Sequence, residues 1–146
     1  MLTDDRKKFF EKMFIGFANA LFAGETIYPM HMVVKEQVAE VMPAPPKGME
    51  TEHYISIIAA YAKQVEAEFI TLVFQGAMTE ADKETLELKD GTTIECLTLF
   101  IGTPGGKLYA INGVVEKADD GTPYVQEWKW VEEIVGTASL IPSFDD

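Results

Sequence analysis

Residues 92–133 constrain this chain more than any other stretch. Three apolar-rich segments follow one another, separated only by Gly-Thr-Pro-Gly-Gly (102–106) and Asp-Asp-Gly-Thr-Pro (119–123). Each linker is too short for a helical crossover, and each has Gly where a tight turn needs positive φ, so neighbouring segments should pair antiparallel. The pattern predicts strands over 92–101, 107–117 and 124–132, a meander. Upstream, Phe69-Ile70-Thr71-Leu72-Val73-Phe74 is almost continuously apolar and β-favouring, as expected of a central strand covered on both faces.

Two helices precede and interrupt these strands. The first is expected from about Asp4 to Ala23, with Thr3 as cap, Asp4 and Asp5 at the positive end of the dipole, and Gly24 just past the end. Phe10, Met13, Phe14, Phe17 and Leu21 recur at spacings of three and four, and Phe9 and Phe22 widen the stripe. So broad an aromatic stripe needs a sheet or a second copy to cover it. The second helix is expected over roughly 50–67, with Tyr54, Ile58, Tyr61 and Val65 as its buried stripe, supported by Ile55 and Ala62.

Between the helices, Ile27 to Val34 is rich in strand formers, and Lys35-Glu36-Gln37 could turn it into a second strand over Val38 to Met42. A helix across 33–42 competes, because Val34, Val38 and Val41 also fit helical spacing. Pro43, Pro45 and Pro46 stop either element. Residues 79–84 read as a solvated loop. Leu86 and Leu88 ahead of Asp90-Gly91 suggest a short strand over 85–89 closed by a type I′ turn. The fold expected is α+β: a largely antiparallel sheet of five to six strands with two helices packed mainly on one face.

Length supports one domain over 1–146, since a chain of this size buries about two-thirds of its extended surface. Formal charge is −12 and uneven: residues 1–73 carry 7 basic and 10 acidic groups, and 74–146 carry 5 and 14. Nucleic acid and anionic membrane surfaces are therefore disfavoured as partners. The single cysteine, Cys96, excludes an internal disulfide and fits a reducing compartment. The N-terminal segment lacks the charge order and unbroken apolar core of a signal peptide, so a cytoplasmic location is expected.

Taken together, the helix, strand hairpin and second helix, the block from Ala67 to Met78, then Glu95-Cys96-Leu97-Thr98-Leu99 and a closing Gln126-Glu127-Trp128 resemble a loose group of short uncharacterised bacterial and phage proteins. The resemblance spans roughly 27–130. It implies a helix-plus-antiparallel-sheet layout and brings no activity with it.

Motifs that carry chemistry are scarce. His31 and His53 are the only histidines; no His-Glu-x-x-His or His-x-x-x-His pair exists, and no cofactor motif is present. His53, near Glu50 and Glu52, reads as a surface residue. His31 faces opposite to Met30 and Met32 and reads as an exposed sheet position. Cys96 sits beside Glu95, which does not favour a thiolate, so a structural role is expected. The sequence from Gly102 to Lys107 lacks the Ser or Thr and the following helix of a phosphate loop, and Asp119 and Asp120 lack calcium-loop spacing.

The feature above background is aromatic. Tyr124, Trp128 and Trp130 occupy alternate positions of the last expected strand and should project from a single face, with Val125, Glu127, Lys129 and Val131 on the other. With Tyr109 they form the candidate binding face, unless they pack beneath the first helix. The missing catalytic constellations, the wide apolar helix and the apolar tail from Ser139, which could dock on its own domain or on a partner, favour a non-catalytic module that binds a protein partner or a second copy. The alternative is a small ligand, or an unrecognised reaction, in a cleft between the second helix and the sheet, with Glu50, His53 or Tyr54 beside it.

Overall fold

The computed structural model describes residues 2–81, 88–131 and 141–144. Its element order is α1 (Asp4–Phe22), β1 (Met30–Lys35), β2 (Val38–Val41), α2 (Thr51–Gln64), β3 (Phe69–Ala81), β4 (Leu88–Gly102), β5 (Leu108–Lys117) and β6 (Pro123–Val131). The strands form one antiparallel sheet in the order β2-β1-β3-β4-β5-β6. This is the α+β architecture and the meander that the short glycine-bearing linkers require.

Helix α1 begins as its sequence dictates. The Thr3 side chain accepts from the Arg6 amide, and Asp4 and Asp5 fall in the first turn. It ends where Gly24 takes φ 93°, which lets the Gly24 and Glu25 amides donate to the Leu21 and Ala20 carbonyls, each at 3.0 Å. The hairpin reading of 30–41 holds and the helical alternative over 33–42 does not. Glu36 and Gln37 both have positive φ, 52° and 61°, as the centre of a type I′ turn requires.

Side-chain alternation divides the interior in two. Phe10, Phe14 and Leu21 of α1 pack with Val34, Phe69, Val73, Leu97, Leu99, Ile111 and their neighbours. Ile58 and Ala62 of α2 pack with Val33, Ile70, Leu72 and Leu108. These sheet residues alternate along each strand, so the helices lie against opposite faces and do not share one. The continuous apolar run in β3 already called for cover on both sides. One helix cannot give it, so α2 supplies the second layer.

Two further expectations change, and the tail takes one of its two expected places. β4 continues through Asp90-Gly91, but Thr79 pairs with Thr93 and Ala81 with Leu88, so the dipeptide falls at an irregularity of the β3–β4 ladder and does not close a hairpin between 85–89 and the strand that follows. The loop expected over 79–84 and the strand over 85–89 lie partly in 82–87, outside the described residues; residues 79–81 belong to β3 and Leu88 to β4. The tail docks on its own sheet. Ile141 and Phe144 are buried in the α2-side core, and the Phe144 amide donates to the Pro104 carbonyl at 3.1 Å.

Candidate functional site

The aromatic face splits. β6 carries a bulge against β5: Val115 pairs with Val125, but the next partner of Val114 is Glu127, so one extra residue enters β6. An inserted residue resets the period-two alternation. Val125 therefore joins Trp128 and Trp130 on the α1 face. Tyr124 points the other way, beside Glu116, whose carboxylate accepts from its hydroxyl at 3.3 Å. The single-face reading of Tyr124, Trp128 and Trp130 is corrected accordingly.

The three aromatics left on the α1 side are occupied. Tyr109 is buried in the core. The Trp130 indole N–H donates to Glu11 Oε2 at 3.1 Å, and the Lys7 ammonium stands 5.8 Å from the ring centroid. Trp128 lies 5.8 Å from Phe14, centroid to centroid, with part of its ring exposed. These contacts make α1 the partner of the tryptophans, and this face is packing more than open platform.

An open concavity lies elsewhere. At the start of β1, where β2 leaves the sheet and α2 begins, a cleft of about 630 Å³ is lined by the segments 26–31 and 41–45, by Met49 and Thr51, by Tyr54 and Ile55 of α2, and by Phe17 of α1. The prolines Pro29, Pro43 and Pro45 hold the chain extended around it, since none can donate a backbone hydrogen bond to a ladder. No Asp, Glu, Lys or Arg contributes to the lining. In a protein of net charge −12, that is a local departure in character.

Two polar groups of the cleft, Tyr54 and His31, meet where α2 covers β1. The Tyr54 hydroxyl donates to the Pro43 carbonyl at 2.6 Å, which ties the 43–45 segment to the helix. Burial pushes the Tyr54 phenol above its usual pKa. His31 meets the Tyr54 ring edge-on at 5.8 Å and is buried, because α2 covers the face that the strand pattern alone assigned to solvent. Of the three residues named beside such a cleft, Tyr54 lines it; Glu50 and His53 do not contribute, and His53 is exposed on α2.

The rim is apolar and unburied. Tyr28 is 74 % exposed and Val41 55 %, and both belong to the lining; Val38, at the other end of β2, is 67 % exposed. A second cavity of about 520 Å³ lies between the start of α1 and the β1–β2 turn. There the Arg6–Glu68 ion pair and the Glu36 amide, which donates to Glu68 at 2.7 Å, tie helix, turn and β3 together. Those contacts fix the turn and present no chemistry of their own.

Among the described residues, no three His, Cys, Asp or Glu side chains gather as a metal site, and no helix is long and apolar enough to cross a membrane. Cys96 is buried in β4. The chain matches no protein-family model, and comparison with curated proteins and with solved structures returns no match.

Proposed function

We propose that this chain is a non-catalytic protein-interaction module whose partner inserts apolar side chains into the cleft between the start of β1 and the first turns of α2. The observation that carries this reading is the joining of an uncharged cleft of about 630 Å³ to the exposed Tyr28 and Val41 at its mouth. A small ligand would fill the cavity and leave those rim side chains in water, whereas a macromolecular partner covers both. Met30, Met42 and Met49 give the lining adaptable surface suited to a partner's side chains. The net charge of −12 directs selection toward neutral or basic proteins and away from nucleic acid. With one cysteine and no internal disulfide, the cytoplasm is the compartment we assign.

The second reading places a small apolar molecule in the same cleft. Its support is the partly desolvated Tyr54 hydroxyl beside His31, two groups that could orient a ligand.

Selection of a random dodecapeptide display library against the chain and against Tyr28→Asp separates the two. Enriched apolar peptides that bind the exposed-rim variant about tenfold more weakly support the interaction reading. Absence of any such peptide, together with saturable binding of the apolar dye anilinonaphthalene sulfonate that Tyr28→Asp leaves unchanged, would replace it with the small-ligand reading.

A further inference from the structure

The outer edge of β2 carries no strand among the described residues, and its hydrogen-bonding phase can be read from the turn. Lys35 and Val38 flank the two-residue turn and close it as a hydrogen-bonded pair. The same phase recurs beyond the strand, where the Met42 amide donates to the His31 carbonyl at 2.9 Å. Val38, Glu40 and Met42 thus direct their backbone groups toward β1, and Ala39 and Val41 direct theirs outward. The next outward position is Pro43, which has no N–H, so the open ladder stops there.

Natural edges are guarded by shortness, charge, proline or a bulge. Val38-Ala39-Glu40-Val41 is short and carries one charge, Glu40, but has no proline or bulge within it, and its register with β1 is unbroken, so its guard is selective: it turns away acidic strands and admits basic ones. The open ladder also leads into the cleft, which Val41 and Met42 line.

We propose that an extended segment of a partner protein adds antiparallel to β2 as a seventh strand, with a basic side chain opposite Glu40 and, further toward its N-terminus, an apolar side chain in the cleft. This rests on the protein-binding reading of the cleft and says which kind of segment occupies it. The backbone groups of Ala39 and Val41 form the ladder. Antiparallel direction carries the segment's N-terminal part past Val41 into the cavity.

Charge selects the occupant. Glu40 is exposed at the centre of the open edge, and the Tyr61 hydroxyl donates to it, which holds the carboxylate on the α2 side. In the symmetric register that pairs Ala39 with Val41 in both directions, a second copy would set Glu40 directly against its equivalent. Like charges so placed are destabilising, between chains that each carry −12. Lysine or arginine at that position gives a favourable cross-strand pair.

The test uses the tightest Tyr28-dependent peptide from the dodecapeptide library, scanned by backbone N-methylation against the unmodified chain. Methylation at the two residues opposite Ala39 and Val41 should weaken binding about tenfold each, and methylation of the residue between them should change it little. On the protein side, Ala39→Pro removes an outward N–H without touching the β1 ladder and should abolish binding. Glu40→Lys should reverse the preference from a basic to an acidic residue at the facing position.

A flat N-methyl scan on a Tyr28-dependent peptide overturns strand addition and leaves the cleft reading standing. No Tyr28-dependent peptide at all overturns both. A Tyr28-dependent peptide with no basic residue at the facing position overturns the charge assignment. A dimer in light scattering that Ala39→Pro disperses would give the edge to a second copy and overturn the choice of a partner protein.

Discussion

Gly113 stands directly across from Trp128 in the β5–β6 ladder, where Phe14 of α1 packs on the Trp128 ring. A Cβ on Gly113 would lie 2.6 Å from Val125 Cγ1 and 2.9 Å from Phe14 Cζ, with the Glu127 carbonyl at 3.3 Å. Both side chains are pinned, Phe14 in the core and Val125 by the bulge, so neither can yield cheaply. Gly113→Ala should destabilise the fold by about 1–3 kcal/mol, the usual cost of overpacking, read as a lower midpoint in urea unfolding. It should also shift tryptophan emission, because Trp128 packs on the displaced Phe14.

Thr71 offers the opposite case. It is fully buried in β3 between Met32 of β1 and Ile101 of β4, and its hydroxyl has no hydrogen-bond partner among the described residues. A buried hydroxyl without a partner carries its desolvation cost uncompensated. Thr71→Val keeps the shape and removes the polar atom. Thermal unfolding should show a gain of about 1 kcal/mol; a loss would mean that the hydroxyl has a partner after all.

The sequence showed this fold most clearly where local chemistry had one solution. Short glycine-bearing linkers left the β4-β5-β6 segments no option but antiparallel pairing, and Thr3 and Gly24 marked the ends of α1 within a residue. Helix α2 was legible too, but its stripe is turned: Ile58 is buried as expected, Ile55 and Ala62, named only as support, are the other buried residues, and Tyr54, Tyr61 and Val65 are half-buried. What periodicity cannot say is which face of a sheet a helix covers, hence the opposite placement of α1 and α2 and the burial of His31. Nor does a bulge announce itself. Gln126-Glu127 has no local mark, so counting alternation across it inverted Tyr124. Tyr54 was visible as a residue beside a cleft, but Tyr28, Met30 and Val41 come from other segments that only the tertiary fold brings beside it.

The tail is a structural element. Ile141 and Phe144 are buried against Ile70, Leu72 and Leu108, and a Cβ on Gly102 would collide with Ile141 Cγ2. Ile141→Ala and Phe144→Ala should each cost about 2–5 kcal/mol, the usual range for truncating a buried large apolar side chain. Chemical denaturation reads this directly. If both variants keep full stability, the tail does not contribute to the core.

The β1–β2 turn holds two residues that dislike their backbone conformation. Glu36 and Gln37 sit at positive φ, where most side chains crowd the carbonyl, while Asn and Gly enter it readily. The one hydrogen bond of Glu36 that ties the turn to Glu68 comes from its backbone amide, so it survives a change of side chain. Glu36→Asn with Gln37→Gly should stabilise the chain by about 1 kcal/mol and leave peptide binding at β2 unchanged.

Tyr61 reports on the carboxylate that we place at the centre of the binding edge. Its hydroxyl donates to Glu40, and this hydrogen bond, with a smaller contribution from burial and the nearby negative charge, raises the phenol above its usual pKa. A raised phenol favours the folded state while protonated. That contribution is complete below the unfolded tyrosine pKa of about 10 and disappears as pH rises through the higher folded value. Ultraviolet titration of phenolate should therefore show Tyr61, along with the partly desolvated Tyr54, ionising later than an unperturbed tyrosine. Glu40→Gln removes the charge and should bring the Tyr61 step down while leaving that of Tyr54 in place. A basic peptide paired with Glu40 should also lower the Tyr61 step, because the cation offsets the carboxylate, so the same titration followed during binding detects occupancy of the edge. An unmoved Tyr61 in Glu40→Gln would show that the two side chains do not meet in solution.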